Sequence, residues 1–235
     1  MTQPSPLAAY WRGVLESLPF LLVVIPFSVL FGVLATEGGL NLSEVMGFSV
    51  LVIAGASQFA ALQLMTENAP VLLVLTTALI VNLRMAMYSA ALAPYLGGAR
   101  LWQRMILAYF IVDQTFAVGV ARYEQEPEMT LRQRVAHFLG AATPIAPFWF
   151  LFTLLGALLG ARIPEGYGLD FALPLAFLAM VAPMLRTLAH MAAALTSITL
   201  ALALAWLPSG LGLIVAGLVA MIVGAAVEQR MERRG

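Results

Sequence analysis

Val50-Leu-Val-Ile-Ala-Gly-Ala-Ser-Gln-Phe-Ala-Ala-Leu-Gln-Leu64 decides how this chain is read. The stretch lies inside an apolar span from about Val45 to Met65, yet its centre is Ala54-Gly55-Ala56-Ser57-Gln58. A helix crossing lipid gains nothing from Gly, Ser and Gln at its midpoint. Open backbone at that depth is tolerated only where it is buried in protein or lines a watery cavity. Gly55 and Ser57 let a helix unwind and present backbone groups, and Gln58 adds two donors and an acceptor. An amino acid zwitterion needs N–H donors for its carboxylate, carbonyls for its ammonium and apolar surface for its side chain. The structural alternative is a small-residue helix contact, with Gln58 hydrogen-bonding across it.

The rest of the chain is membrane-like. Its 235 residues are 62% hydrophobic and 10% charged, where a soluble domain carries about a quarter charged residues. Several apolar runs reach the roughly 20 residues that cross a hydrocarbon core. We expect a single transmembrane transport domain over residues 1–235. With no cysteine, disulfides and thiolate metal sites are excluded. Net charge is zero, all basic residues are Arg, and no basic block points to nucleic acid. The long first apolar run, with Pro19 and Pro26, makes a poor cleaved signal peptide.

The apolar pattern predicts an all-α polytopic bundle of about seven or eight membrane segments with broken helices. They are about Ser17–Thr36, Ser43–Thr66, Pro70–Leu96, Leu101–Ala121, Val135–Gly160, Asp170–Leu188, Met191–Leu207 and Gly210–Val227. Arg122–Arg134 reads as the one substantial hydrophilic loop. Asn41 and Thr130 are candidate helix N-caps. Loop arginines favour cytoplasmic termini, but Arg100 and Arg104 then fall outside, against the positive-inside rule. A re-entrant second segment is one way to remove that conflict. Pro26-Phe-Ser-Val-Leu-Phe31 echoes Pro147-Phe-Trp-Phe-Leu-Phe152, 121 residues on. That suggests a two-fold repeat with halves 11–121 and 135–228, the second broken at Pro174 and Pro183.

Ionisable groups within apolar runs are candidate sites. Asn82-Leu83-Arg84 lies in the third segment, one turn before Tyr88. Asp113 is the single carboxylate well inside a segment. An Arg84–Asp113 pair is expected, with Arg84 a candidate carboxylate anchor and Asp113 a proton-coupling site. The alternatives are an arginine snorkelling to headgroups and a carboxylate that locks two helices. Pro26 frees helical carbonyls and, with Phe27, joins Gly55, Ala56, Ser57, Gln58, Asn82 and Arg84 as candidate substrate-binding residues. Glu16 and Glu37 read as interfacial, as do His137 and His190 near segment ends, with a proton-relay role the alternative for the two histidines. Trp11, Trp102 and Trp206 fit aromatic belts. No metal site or P-loop is present in the sequence. Gly55-Ala56-Ser57-Gln58-Phe59 begins like a nucleophile elbow but ends in Phe. A Ser57–His190 intramembrane protease is the minor enzymatic alternative; the main reading is not an enzyme and takes no cofactor.

Taken in order, the motifs resemble one family. Pro26-Phe27-x-x-x-Phe31-Gly32-x-Leu34-Ala35, Gly39-Leu40, Ala54-Gly55-Ala56-Ser57-Gln58-Phe59-Ala60, Asn82-Leu83-Arg84 and Asp113-Gln114-x-Phe116-Ala117 are similar to the AzlC family. Gly168-Leu169-Asp170-Phe171-Ala172-Leu173-Pro174-Leu175-Ala176-Phe177-Leu178 looks like its later motif. These are large subunits of bacterial branched-chain amino acid exporters. The chain departs from the pattern at Met85, where many members have His, so no histidine relay is implied there. The resemblance implies export of Leu, Ile, Val and in some members Met across the inner membrane. It also implies a small AzlD-type membrane partner. Homo-oligomer formation is left open by the sequence. Proton-gradient coupling is the expectation; a channel-like or non-transporting membrane subunit is the alternative.

Overall fold

The computed structural model describes residues 5–161, 185, 187–207 and 211–232. The described residues are helical, with no strand. The chain divides into two compact units, Met1–Leu169 and Asp170–Gly235, and each is taken by itself.

The first unit opens with α1 (Pro6–Ser17), a 3-10 turn (Leu18–Phe20) and α2 (Leu21–Glu37). Proline fixes φ and carries no N–H, so Pro19 falls in the 3-10 turn that joins the two helices. Pro26 sits inside α2, where Ser28 Oγ takes up the Val24 and Ile25 carbonyls at 2.8 and 2.9 Å. Then come α3 (Leu42–Leu51), α4 (Gly55–Thr66), α5 (Val71–Leu96), α6 (Leu101–Tyr109), α7 (Asp113–Gln125) and α8 (Leu131–Gly160). The caps read from sequence form: Asn41 and Thr130 each make a reciprocal capping box, with Glu44 and Gln133. Each supplies a partner to an otherwise orphaned N–H.

Three stretches among the described residues are long and apolar enough to cross a membrane: Pro6–Glu37, Val71–Leu96 and Leu131–Gly160. The first therefore begins about three turns before the start expected at Ser17, and α8 begins at Leu131, ahead of the expected Val135. The expected hydrophilic loop Arg122–Arg134 shrinks to residues 126–130. Arg122 is not a free loop charge: it pairs with Glu16 and Glu126 from the last turn of α7.

The centre of the unit is α8 against α1 and α2. Near one end, a Cβ at Gly13 would strike the His137 carbonyl, and one at Gly140 the Tyr10 carbonyl. Near the other, a Cβ at Gly32 would strike the Thr153 carbonyl, and one at Gly156 the Val29 carbonyl. The contacts climb both helices together, so α1–α2 and α8 run parallel. Lipid tails offer little hydrophobic gain for helix association, so close backbone approach through small residues supplies the attraction. The two aromatic motifs that echo each other in sequence are thus on helices that lie side by side. Phe31 is fully buried, 5.6 Å edge-on from Phe59 and stacked 6.5 Å from Trp149.

The second unit contains α9 (Leu188–Ala203) and α10 (Leu211–Glu232), packed through small residues. Ala189, Ala216 and Ala220 are buried, and a Cβ at Gly224 would lie 3.2 Å from Ala193 Cβ. Thr187 caps α9 by accepting from His190 N at 3.2 Å. Asp170, Pro174, Pro183 and the Gly168–Leu178 motif lie outside the described residues, and with them the expected break of the second repeat half.

Candidate functional site at two broken helices

The apolar run Ser43–Thr66 is discontinuous, as its sequence predicts, but the opening lies just upstream of Gly55. Residues 52–54 leave the helix: Val52 adopts φ −125°, ψ 81° and Ala54 φ −146°, ψ 87°. Gly55-Ala56-Ser57-Gln58 is instead the first turn of α4. Two contacts place the opening there. Gly55 accepts the Trp149 ring against its backbone, since a Cβ would come within 2.9 Å of that ring. Ser57 Oγ donates to the Ala54 carbonyl at 3.1 Å. Ala54 gives α4 no side-chain cap.

A second broken helix was not legible. Leu101–Ala121 reads as one apolar run, but residues 110–112 open it into α6 and α7. Asp113 is therefore not the middle of a span but the first residue of a half-helix. Val112 N donates to Thr115 Oγ1 at 3.0 Å, and that hydroxyl donates to the Phe110 carbonyl at 2.7 Å. Thr115, five residues beyond Phe110, is the sequence signal that could have marked the break. The breaks meet: Tyr109 at the end of α6 donates to the Val50 carbonyl near the end of α3 at 2.6 Å. Ile53 and Val112, one from each break, pack in one cluster with Val24, Phe27, Ile145 and Trp149.

Around this crossing stand the polar residues. Arg84 Nη1 lies 3.2 Å from Asp113 Oδ2, the pair expected from sequence. Tyr88 donates to Asp113 Oδ1 at 2.9 Å, and its ring stacks on Phe116 at 4.1 Å. The site is not closed: the Asp113 side chain is 40% exposed. Asp113 also sits in the first turn of α7, at the positive end of that helix's dipole. Gln58 is the opposite case. It is fully buried, and neither its amide oxygen nor its nitrogen has a hydrogen-bond partner. Asn82 Oδ1 and Arg84 Nε are likewise buried and unpartnered. An unmet buried polar group costs about 1–3 kcal/mol, so these four atoms hold hydrogen-bonding capacity in reserve.

Other candidates fall around the cluster. Phe27 meets Phe59 edge-on at 5.2 Å, while Pro26 on the same helix is exposed. Ala56 is half-buried on α4. A groove of ≈ 280 Å³ between α5 and α6, lined by Ser89, Leu92, Arg104 and Ile111, includes none of these residues and is mostly apolar.

One group lies deeper in the protein than its place near a segment end suggests. His137 is fully buried, and its Nε2 lies 2.9 Å from Glu16 Oε2. Glu16 in turn meets Arg122 and Arg12, and Glu126 closes the network. Packing of α8 against α1, set by Gly13 and Gly140, carries the histidine inside. His190 is exposed.

The comparisons agree with the motif order. The family model described as AzlC protein matches residues 19–163. The chain is 27% identical over 191 residues to the Inner membrane protein YgaZ of Escherichia coli, covering 76% of this chain and 75% of that one. It is 32% identical over 200 residues to an uncharacterized membrane protein of Archaeoglobus fulgidus, covering 83% and 84%. A Helicobacter pylori membrane protein is 23% identical over 166 residues, covering 70% and 71%. No solved structure matches. With helical membrane spans, two broken helices that meet at Ile53 and Val112, and a family model spanning both, this chain is a membrane protein of the AzlC family.

Proposed function

We propose that the chain is the large subunit of a secondary transporter that exports branched-chain or similar hydrophobic amino acids across the bacterial inner membrane. The observation that carries the reading is the meeting of two half-helix N-termini, Gly55 of α4 and Asp113 of α7, at one apolar cluster. Transporters place such helix starts against anionic groups and unwound carbonyls against cations. The substrate carboxylate would take the uncapped N–H groups of α4, the Gln58 amide and Arg84. Its ammonium would take Asp113, and its side chain would lie on Val24, Phe27, Ile145 and Trp149. Exchange of Arg84 for an ammonium, or for a proton, is then the natural coupling step at Asp113. An apolar pocket separates neighbouring aliphatic side chains by only about 1–3 kcal/mol, so the class is proposed, not one member.

The parallel course of α1–α2 and α8 bears on topology. Chain leaving α2 on one side must begin α8 on the other, so an odd number of crossings lies between. With α5 crossing, the two broken helices either both cross or both turn back. We propose that both cross, since each is broken near its middle and Tyr109 ties their centres. This makes the second segment a discontinuous crossing instead of a re-entrant one. Cytoplasmic termini, a single transport domain, and a small AzlD-type membrane partner complete the proposal.

The test uses vesicles loaded with labelled leucine, valine or methionine, with the partner present. Gln58→Ala and Asp113→Asn should each lower gradient-driven efflux at normal expression. Unchanged efflux in both variants refutes the site. Flux that neither saturates nor follows the gradient would favour the channel-like alternative. Full function in Ser57→Ala dismisses the protease; Ser57 Oγ already serves the Ala54 carbonyl.

A further inference from the structure

We infer that His137 and Glu16 form a proton-binding site, separate from Asp113. Three observations carry it. His137 has no exposed surface, and only one of its ring nitrogens is engaged: Nε2 faces Glu16 Oε2 at 2.9 Å, while Nδ1 is buried without a partner. A carboxylate accepts, so Nε2 carries the hydrogen and Nδ1 presents a bare lone pair. A proton added there makes an imidazolium already paired with its counter-ion.

The surrounding charges suit a single proton. From α1 come Arg12 and Glu16; from α7 come Arg122 and Glu126, with the Tyr123 ring 5.8 Å from the imidazole. On α8 itself, Arg134 is held over the Tyr123 ring and the Tyr95 ring of α5, and donates to the Pro127 carbonyl at 2.7 Å. Two arginines and two glutamates cancel, so a neutral His137 leaves the cluster uncharged. The added proton makes it singly positive. Protonating Glu16 instead would leave two arginines to one carboxylate, so the histidine is the acceptor. Loading it draws Glu16 toward the imidazolium and away from Arg122. That loosens the hold of α1 on α7, the helix whose other end carries Asp113.

The proposal does not depend on transport, and its test reads none. The chain has two histidines, His137 and His190. Full-length protein with ¹⁵N-labelled histidine rings and the His190→Gln change, in lipid nanodiscs, gives signals from His137 alone. From about pH 8 to about pH 5, the range in which imidazole ordinarily changes charge, the bare-nitrogen signal of Nδ1 should convert reversibly to a protonated one. In Glu16→Gln the protonated form should vanish from that range. A bare Nδ1 signal that persists to about pH 5 in the otherwise unaltered chain overturns the proposal. So does an unchanged titration in a folded Glu16→Gln variant. If that variant does not fold, Arg122→Lys supplies the second reading, because weakening the competing hold on Glu16 should move the conversion to higher pH.

Discussion

At its first residue α7 holds Asp113 against Arg84 and Tyr88, and in its last turn it holds Arg122 against Glu16. The two clusters differ in how fully their partners are met. Glu16 is engaged by Arg12, Arg122 and His137, from its own helix and two others. Asp113 has one arginine and one phenol, and four buried atoms, the Gln58 amide oxygen and nitrogen, Asn82 Oδ1 and Arg84 Nε, have no partner. A carboxylate met on three sides fixes three helices to one another. A cluster with spare donors and acceptors is ready for a solute. One short helix carries both, so a change at either end is felt along a rod of about 14 Å, at about 1.5 Å per residue.

The contrast can be broken by substitution. The largest effect on stability should come from Glu16→Ala, which leaves Arg12 and Arg122 to share Glu126 and takes the acceptor from the buried His137 Nε2; a buried donor left unmet costs about 1–3 kcal/mol, and more for charged groups. Thermal unfolding in detergent should show it, and a variant as stable as the parent would mean the network holds nothing. Asp113→Asn should lower efflux about 100-fold, equivalent to about 2.7 kcal/mol, with little change in melting. Equal losses of stability at Glu16 and Asp113 would erase the distinction between lock and site. Gln58→Leu should raise stability by about 1–3 kcal/mol, because it removes an unmet buried amide, while efflux falls about tenfold. A variant that is both less stable and fully active would show that Gln58 finds its partners within the protein. The smallest effect is expected at Asn41→Ala, about 1 kcal/mol from a lost helix cap, with transport untouched. It calibrates how far stability alone moves efflux.

How much of this was legible depends on where the signal lies. Asn41 and Thr130 were read as caps because a capping box is a local hydrogen-bond pattern within four residues. The limits of α5 follow from Pro70 and Gly97, again local punctuation. Arg84 and Asp113 were paired on one argument, that opposite charges in an apolar bundle seek each other. The break at 110–112 escaped because Phe110-Ile111-Val112 has no Gly, Pro or polar residue. The shift of the first break to 52–54 escaped for a related reason: Trp149, from α8, fixes where Gly55 can start a helix. His137 looked interfacial because sequence gives depth along a helix but not which helix lies beside it.

The sequence by itself determined that the chain is helical, lives in a membrane, and must pair its few buried charges. Those outcomes follow from composition and from the cost of unmet polar groups in lipid, which no arrangement of helices can evade. Only the tertiary structure decided that two helices break and meet at Ile53 and Val112, and that Glu16 turns inward to His137. A backbone opens where neighbouring helices take up its freed groups and its neighbours' rings, and those neighbours come from distant parts of the chain.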